Sequence, residues 1–360
     1  MYVENIMDTV RWGIIGAGAV CEVKSGPPLY KCDRSELVAV MRRTESKAAD
    51  FAKRHDVKRF YSKVDELIND EEVNAIYIAT PPGTHLDLAL ECLKSRKPCY
   101  IEKPLARNAS ETEQIVNAFR DAKVPLFSAY YRRGQEHFRL LKKMIADGKI
   151  GTVVHVSYEM LRPYVPNIED RWRLKSESSG GGLIMDVGVH TLDILDYLVG
   201  PITGAKGHAT NITGKYKVED TVSMSFRIGD TALGTAAWTF AGSSYKDKIV
   251  IRGERGTLEF STFTEEPIRL LTPGPEDFNV QNVTEIPFEL PTHAQQPLIQ
   301  TIVDDLVSQG AKPAPSTGDN ALRVARVVDA VLESYYGGRG DSFWDREASW
   351  PGAPKELQNI

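Results

Sequence analysis

The chain has 360 residues, more than one ordinary hydrophobic core accommodates, so two domains are expected. Its composition, with 42% hydrophobic and 26% charged residues, is typical of a globular protein and excludes a disordered or fibrous one. The net charge of −5 gives no basis for binding nucleic acid or an anionic membrane. No apolar run approaches the roughly 20 residues that span a bilayer, so membrane insertion is not expected.

The cysteines and the first eight residues bear on the cellular compartment. Cys21, Cys32, Cys92 and Cys99 show no metal-binding or redox spacing, which favours a reducing environment. Residues 1–8 hold two acids and no apolar segment, so we expect no secretory signal. The histidines form no metal-ligand spacing either. We therefore expect a cytoplasmic protein without a bound metal.

Up to about residue 130, short apolar runs alternate with amphipathic stretches. The runs, which we predict to be strands, are 10–15, 37–41, 75–79, 99–101 and 126–128. The stretches, which we predict to be helices, are 45–55, 84–95 and 110–123, the last starting with a capping box of Ser110 and Glu113. Continuous apolar strands that are each followed by a helix indicate a parallel sheet with both faces covered. We therefore predict an α/β domain over residues 1–130.

After residue 133 the hydrophobic period changes. A helix is predicted at 135–147, ending at Gly148, and two more at 294–309 and 319–335. Segments with a period of two, which we predict to be strands, are 153–160, 221–227, 232–239, 248–252 and 257–260. Short turns such as Gly229-Asp230 favour antiparallel pairing. Residues 131–360 are therefore predicted to form an α+β domain with an open, mainly antiparallel sheet, whose C-terminal helix packs back on the first domain.

A glycine-rich turn follows the first predicted strand. Gly16 would permit a tight turn, and Gly18 would let the backbone approach a pyrophosphate. The helix that starts at Ala19 and Val20 offers unpaired N–H groups to that anion. Cys21 takes the third glycine position and is small enough for close packing. The turn predicts a Rossmann dinucleotide-binding domain, and the alternative is an ordinary glycine turn.

The second predicted strand ends in Arg42 and Arg43. A fold specific for NAD usually has an acid here, which binds the ribose 2′-hydroxyl. Two guanidinium groups suit a 2′-phosphate instead. We therefore predict NADP as the cofactor, with NAD as a second option, and the alternative interpretation of the arginines is a basic surface loop.

The first helix must be short, because Ser25-Gly26-Pro27-Pro28 interrupts it. Lys24 stands just before that interruption. Its side chain either reaches the cofactor or substrate or ends a solvated helix.

Four segments together carry a family resemblance. They are the Gly16/Gly18 turn, 79–85 (Ala-Thr-Pro-Pro-Gly-Thr-His), 100–105 (Tyr-Ile-Glu-Lys-Pro-Leu) and 180–190 (Gly-Gly-Gly-Leu-Ile-Met-Asp-Val-Gly-Val-His). Along nearly its whole length the chain resembles the glucose–fructose oxidoreductase / inositol dehydrogenase (Gfo/Idh/MocA) family. The resemblance implies a Rossmann domain, a C-terminal domain for substrate binding and oligomerisation, and hydride transfer with a nicotinamide cofactor. It also implies a homodimer or homotetramer that associates through the open C-terminal sheet.

By position, the resemblance makes Lys103 the active-site lysine and Asp186 and His190 its partners, with His190 as the usual acid/base. It also implies a cis peptide bond before Pro104. The residues themselves agree, since Asp186 and His190 are four apart and would share a helix face. A histidine that titrates near neutrality suits proton transfer, and a lysine can polarise the substrate oxygen. Whether Lys103 or His190 carries the proton is left open, and a purely structural Asp/His pair is the alternative.

Other residues of these segments are candidates for cofactor binding. Thr80, Pro81 and Pro82 would line the nicotinamide ribose, or else form a simple loop. His85 either contacts the cofactor or caps and packs the next helix. Glu102 precedes the lysine in its motif and is counted with Lys103 among the cofactor-binding residues.

Two residues of the second half are candidates for substrate binding. Arg132 lies where the second domain begins, a region that often contacts substrate in the family. Trp172, within Arg171-Trp172-Arg173, would stack on a sugar face and help to wall the pocket. An exposed loop is the equal alternative for this segment.

Three functions fit these motifs. The favoured one is an NADP-dependent oxidoreductase acting on a sugar, cyclitol or similar polyol. The alternatives are a nicotinamide-dependent glycosidase and a non-catalytic regulator that binds nucleotide on the same fold. Intact Lys103, Asp186 and His190 argue against the regulator, but they do not separate the first two functions.

Overall fold

The computed structural model describes residues 7–274 and 281–357. Within this part of the chain, the strands are β1 (Val10–Ile15), β2 (Ser35–Met41), β3 (Arg59–Tyr61), β4 (Ala75–Ile78), β5 (Cys99–Ile101), β6 (Leu126–Ser128), β7 (Val153–Pro163), β8 (Ile202–Thr210), β9 (Thr221–Ile228), β10 (Ala232–Gly242), β11 (Lys246–Gly253), β12 (Thr257–Phe260), β13 (Ile268–Pro273) and β14 (Gln281–Ile286).

The α-helices of the same part are α1 (Ala19–Val23), α2 (Pro28–Lys31), α3 (Glu45–Arg54), α4 (Val64–Ile68), α5 (His85–Lys94), α6 (Ala109–Ala122), α7 (Glu136–Ala146), α8 (Ser176–Ser179), α9 (Val189–Leu198), α10 (Gln296–Val307) and α11 (Gly318–Tyr336). A π-helical turn, Ile184–Gly188, precedes α9. None of the helices in the described ranges is both long and apolar enough to cross a membrane.

The chain divides into two compact units. The first runs to Gln135 and also contains Pro291–Leu322, whereas the second contains Glu136–Leu290 and the chain from Arg323 onward. The sequence-based division treated 131–360 as one continuous piece, so it differs from this arrangement. The difference has a physical cause: α10 buries Leu298, Ile302 and Val303 in the core of the first unit.

A six-stranded parallel sheet forms the centre of the first unit, in the order β3-β2-β1-β4-β5-β6. This confirms the predicted parallel sheet. Strands β4 and β5 are buried along their whole length, which explains why they read as unbroken apolar runs. Trp12 of β1 is fully buried, and its indole N–H donates to the Ser35 hydroxyl at 3.0 Å. Strand β3 was missed because it has three residues and none of them is buried.

The helix α6 begins differently from the prediction. Asn108 is its N-cap, and its side-chain oxygen accepts a hydrogen bond from the Glu111 N–H at 2.8 Å. The predicted capping box of Ser110 and Glu113 is therefore wrong. Both asparagine and serine cap helices well, and the polar run Asn-Ala-Ser did not reveal which residue leaves the helical conformation.

The second unit contains an eight-stranded sheet in the order β14-β13-β12-β11-β7-β10-β9-β8. Only one pair of neighbours in it, β7 and β10, is parallel, which confirms an open and mainly antiparallel sheet. In β9, buried and exposed residues alternate, as its sequence period predicted. The prediction missed β8, β13 and β14. Strands β8 and β14 lie at the sheet edges, and β14 buries no residue, so no apolar pattern marks it.

Candidate active site

The glycine turn has the shape that a pyrophosphate site needs. Gly16 has φ +87°, and a Cβ there would lie 2.6 Å from the Thr80 methyl carbon, so only glycine fits. Gly18 precedes α1, and a Cβ on it would approach only the Gly16 carbonyl oxygen, at 3.7 Å. The space in front of Gly18 is therefore open. Ala19 is exposed and Val20 half-buried at the start of α1, so their backbone lies beside this opening.

Cys21 fills the third position of the motif beneath the turn. The thiol is fully buried, and burial raises its pKa to about 12. It therefore acts as a small packing residue, as the sequence suggested, and not as a reactive thiol.

Arg42 and Arg43 directly follow β2, beside the glycine turn. The Met41 carbonyl, one residue earlier, accepts the Gly16 N–H at 3.0 Å. Arg42 is half-buried and Arg43 is exposed, and neither forms an ion pair with any residue that the structure describes. The position next to the turn thus carries two available guanidinium groups.

Thr80, Pro81 and Pro82 follow β4, the neighbour of β1 on the other side. The Ala79 N–H donates to the Ile15 carbonyl at 2.9 Å, which aligns this loop with the glycine turn. Thr80 and Pro81 are half-buried and Pro82 is buried, so the first two present the more accessible surface.

His85 lies behind this loop rather than in it. The ring is fully buried, with Nε2 2.8 Å from the Thr80 carbonyl oxygen and Nδ1 3.2 Å from the Leu105 carbonyl oxygen. Burial lowers the pKa of His85, so the neutral ring is favoured. The packing interpretation replaces the predicted cofactor contact, because no part of the ring is exposed. His85 joins the 80–82 loop to the segment that follows Lys103.

Glu102 is held inside the first unit by a polar network. Its Oε1 accepts hydrogen bonds from the Tyr77 hydroxyl at 2.6 Å and from the Gln295 side-chain amide at 2.7 Å. The Tyr100 hydroxyl donates to the other end of Gln295, at 2.7 Å. Burial, together with the Glu102 charge, raises the pKa of both tyrosines well above its ordinary value. The carboxylate thus anchors the end of β5, and a direct bond from its side chain to a cofactor would compete with this network.

Lys103 follows Glu102 at this anchored strand end. Its backbone N–H donates to the Glu102 carboxylate at 3.2 Å, and the peptide bond from Lys103 to Pro104 is cis, as the resemblance implied. Gln295 was not found by sequence reasoning. A single glutamine some 190 residues downstream gives no local signal that it supports this segment.

Lys24 and Arg132, both in the first unit, differ in exposure. Lys24 is exposed, and its carbonyl accepts the Gln295 N–H at 3.2 Å. Arg132 is buried, with its guanidinium 4.7 Å from the centre of the Tyr131 ring. Their contacts with substrate stay predictions.

In the second unit, the glycine run forms a turn around a buried carboxylate. The Gly182 N–H donates to both oxygens of Glu219, at 2.9 and 3.0 Å, and the Tyr336 hydroxyl also donates to this group. A Cβ on Gly182 would lie 2.1 Å from the Glu219 carbonyl oxygen. Arg339, fully buried, donates to the Gly180 carbonyl at 2.8 Å. Gly182 is therefore needed for the close approach of this chain's own backbone at Glu219.

Asp186 and His190 come directly after this turn. Asp186 lies within the π-helical turn and His190 is the second residue of α9, so the expected regular α-helix does not include both. Asp186 is 28% exposed and accepts a hydrogen bond from Nε of Arg173 at 3.0 Å. His190 is buried, with its ring edge-to-face against Phe263 at a centroid distance of 6.0 Å.

A cavity of about 250 Å³ in the second unit adjoins Asp186. Its lining residues are Arg162, Pro163, Val165, Ile168, Arg171, Arg173, Leu174, Leu183, Asp186, Val187 and Phe240; we name it the arginine-lined cavity. Trp172 is absent from the lining, and one face of its ring is covered by the Arg173 guanidinium at 4.5 Å. The arginines on either side of Trp172 thus line this cavity, and stacking of the indole on a sugar stays a prediction.

A metal-binding cluster is not found in residues 7–274 and 281–357, where no three histidine, cysteine, aspartate or glutamate side chains are grouped to hold an ion. The groups that face the candidate sites are instead lysine, arginine, histidine and single carboxylates.

Both halves of the chain are similar to known proteins. Residues 10–130 match the oxidoreductase family with an NAD-binding Rossmann fold, and residues 138–259 match the GFO/IDH/MocA C-terminal domain. Oxidoreductase P35 of Formosa agariphila is 33% identical over 324 residues, which cover 89% of this chain and 97% of that protein. The scyllo-inositol 2-dehydrogenase (NADP(+)) of Bacillus subtilis is 32% identical over 198 residues, covering 54% and 53% of the two chains.

Among solved structures, levoglucosan dehydrogenase in complex with NADH and L-sorbose has a TM-score of 0.80. It is 19% identical, and the match covers 96% of this chain and 99% of that one. At that identity the likeness establishes the fold. The sequence matches to both family models and to Oxidoreductase P35 show that the chain belongs to the Gfo/Idh/MocA family of oxidoreductases, with an NAD-binding Rossmann fold at its N-terminus.

Proposed function

We propose that this protein is an NADP-dependent oxidoreductase that transfers a hydride between nicotinamide and a hydroxyl or carbonyl carbon of a sugar, cyclitol or similar polyol. The observation that carries the proposal is the presence of Lys103, Asp186 and His190 in a chain whose glycine turn is open at Gly18. Relatives named as scyllo-inositol 2-dehydrogenase (NADP(+)) and 1,5-anhydro-D-fructose reductase support this substrate class.

When bound, the nicotinamide ring accepts or donates the hydride. The side chains then have to manage the proton and the charge that develops on the substrate oxygen. His190 would take the hydroxyl proton during oxidation and return it during reduction. Lys103 would stabilise the negative charge on the oxygen, and Asp186, bound to Arg173, would orient the substrate hydroxyl or the imidazole.

NADP is the proposed cofactor because of Arg42 and Arg43 beside the glycine turn. Two unpaired guanidinium groups can form charge-assisted bonds to a 2′-phosphate, whereas the turn offers no acid for a free 2′-hydroxyl. Titration of the protein with NADP and NAD, followed by fluorescence, tests this. NADP should bind more tightly, and NAD binding as tight as NADP would contradict the proposal.

A substrate screen that follows the absorbance of reduced nicotinamide tests the activity. Sugars, cyclitols and other polyols are offered with NADP, and the corresponding ketones with NADPH. We expect conversion with a stoichiometric change in cofactor. Cleavage of glycosides without net cofactor change would favour a glycosidase, and cofactor binding without either reaction would favour a regulator.

We also propose a homodimer or homotetramer that associates through the open sheet of the second unit. Ser223, Ser225 and Thr235 are exposed on one face of β9 and β10, and such small side chains permit a close approach by a second sheet. Charged pairs on the neighbouring strands, including Lys246 with Glu159 and Lys248 with Glu259, supply polar partners.

A further inference from the structure

The arginine-lined cavity carries an excess of positive charge. Three arginines, Arg162, Arg171 and Arg173, line it together with a single carboxylate, that of Asp186. Arg173 is committed to other groups, since Nε bonds Asp186 at 3.0 Å and the guanidinium lies 4.5 Å from the Trp172 ring centre. Arg173 therefore neutralises Asp186, and the remaining positive charge comes from Arg162 and Arg171.

Arg162 and Arg171 have no such commitment. Neither guanidinium forms a hydrogen bond or an ion pair with residues 7–274 or 281–357. The nearby carboxylate of Glu169 is engaged by the Tyr164 hydroxyl instead. Arg162 lies near the end of β7, and Arg171 is tied to the same loop by its N–H bond to the Ile168 carbonyl at 2.9 Å. The guanidinium groups of Arg162 and Arg171, at the two ends of the loop that follows β7, thus line the same cavity without a partner among the described residues.

The rest of the lining is largely apolar. Ile168, Leu174 and Phe240 are buried beneath the two exposed arginines and present apolar surface, which suits the C–H faces of a sugar ring. Two like charges beside an apolar wall repel each other, and an anion between them removes that repulsion and gains charge-assisted bonds. A neutral polyol would give neither guanidinium an ionic partner.

We infer that the arginine-lined cavity binds an anionic group of the substrate, so that the preferred sugar or polyol carries a carboxylate or a phosphate. The inference rests on the proposed oxidoreductase function, since it names the substrate class of that reaction. Arg162 and Arg171 hold the anion, while Arg173 keeps Asp186 in place beside it.

Calorimetric titration with three sugars tests the inference directly. D-Glucuronate, D-glucose 6-phosphate and D-glucose are each titrated into the protein saturated with NADP. At least one anionic sugar should bind about tenfold more tightly than glucose, and the comparison of the two identifies the anion that the cavity prefers. Equal binding of all three sugars, or no binding of either anionic sugar, overturns the inference.

Variants locate the preference in the cavity. Arg162→Gln and Arg171→Gln should each reduce the preference for the anionic sugar about tenfold, whereas Arg162→Lys and Arg171→Lys should restore part of it. Lys175→Gln is the matched control, because it removes one exposed positive charge just after the same segment without removing a lining side chain. A preference that survives in the double glutamine variant overturns the inference.

Turnover is read separately from binding, so the two proposals fail in different ways. Arginine-dependent binding of an anionic sugar, without hydride transfer from any polyol to NADP or from NADPH to any corresponding ketone, contradicts the oxidoreductase function but supports the anion site. Efficient turnover of neutral polyols, with no preference for their anionic counterparts, supports the oxidoreductase function and overturns the anion site.

Discussion

Lys103 and His190 occupy contrasting surroundings within their own units. Lys103 is half-buried at a strand end that Glu102 anchors through Tyr77 and Gln295. His190 is almost fully enclosed and touches Phe263, so its ring orientation is restricted. A restricted imidazole and an anchored lysine suit catalysis, since the positions of the reacting groups are set before substrate binds.

Lys103→Ala and His190→Ala should each lower kcat by at least about 10²-fold, because each removes a group that handles the developing charge or the proton. Cofactor affinity, measured by fluorescence titration, should stay nearly unchanged. Lys94→Ala serves as the control, since this lysine is exposed on another element. Full activity in either test variant would remove that residue from the chemistry.

Replacement of both Arg42 and Arg43 by alanine should weaken NADP binding by about 10- to 100-fold, since charge-assisted bonds to the 2′-phosphate are lost. NAD binding should change little. Lys47→Ala, which removes an exposed charge from α3, is the control. An equal loss of affinity for both cofactors would place the arginines outside the 2′-phosphate site.

At the scale of elements, two short segments depend on buried polar side chains. The turn 180–182 is held by Glu219, Tyr336 and Arg339, and burial raises the pKa of Glu219 against the opposing effects of Tyr336 and Arg339. The 80–82 loop is held by His85. The residues that hold each of these two segments lie outside that segment. The candidate active-site elements therefore depend on contacts made by folding.

Gly182→Ala should destabilise the protein by about 2–3 kcal/mol, since the added Cβ meets backbone rather than a flexible side chain. Gly340→Ala is the matched control, because nothing lies within 4 Å of its Cβ position, and it should change stability by less than about 0.5 kcal/mol. Denaturant unfolding measures both. Similar stability of the two variants would mean that the turn can shift away from Glu219.

His85 predicts a specific pH dependence of stability. Its folded pKa is lowered by burial, so the unfolded chain binds more protons as pH falls below about 6.5, and stability is lost in that direction. His85→Gln cannot titrate, so its destabilisation relative to the native protein should be largest near neutral pH and shrink on acidification. The change is at most about 1.4 kcal/mol per pH unit.

Unfolding free energies of both proteins across this pH range provide the measurement. A constant difference between native protein and His85→Gln at every pH would show that His85 does not titrate on unfolding.

At the scale of the whole molecule, the chain returns to its first unit late in the sequence. Residues 291–322 belong with the N-terminal residues, and α10 completes their core. The second unit is therefore built from two pieces of the chain, one before and one after this segment. Its eight-stranded sheet exposes small and charged residues on one face.

Ala237→Arg should shift the protein towards a monomer of 40.0 kDa, because a long charged side chain would obstruct sheet-to-sheet contact on β10. Sedimentation velocity should show two or four copies for the native chain. Thr231→Arg adds the same charge at an exposed position just before β10 and should leave the assembly intact. A native monomer, or an unchanged assembly in Ala237→Arg, would contradict association through this face.

Local patterns in the sequence determined much of the fold and the positions of the main motifs. The buried parallel strands appeared as apolar runs, the half-exposed strands as alternation, and Gly16 as a position where only glycine fits. These features depend on residues that are close along the chain and on which side chains are buried. Burial in turn follows largely from whether a side chain is apolar or polar. The sequence pattern did not predict edge strands such as β14, because a strand can pair at a sheet edge while burying few side chains.

Only the tertiary structure decided which side chains support the candidate site. Gln295 bonds Glu102, Glu219 bonds Gly182 and Arg173 bonds Asp186, and in each case the partners are brought together by folding. It also showed that the side chain of His85, a candidate cofactor ligand in the sequence, is buried and holds the 80–82 loop. The physical reason is that hydrogen bonds and ion pairs depend on distance in space, which hydrophobic periodicity along the chain does not encode.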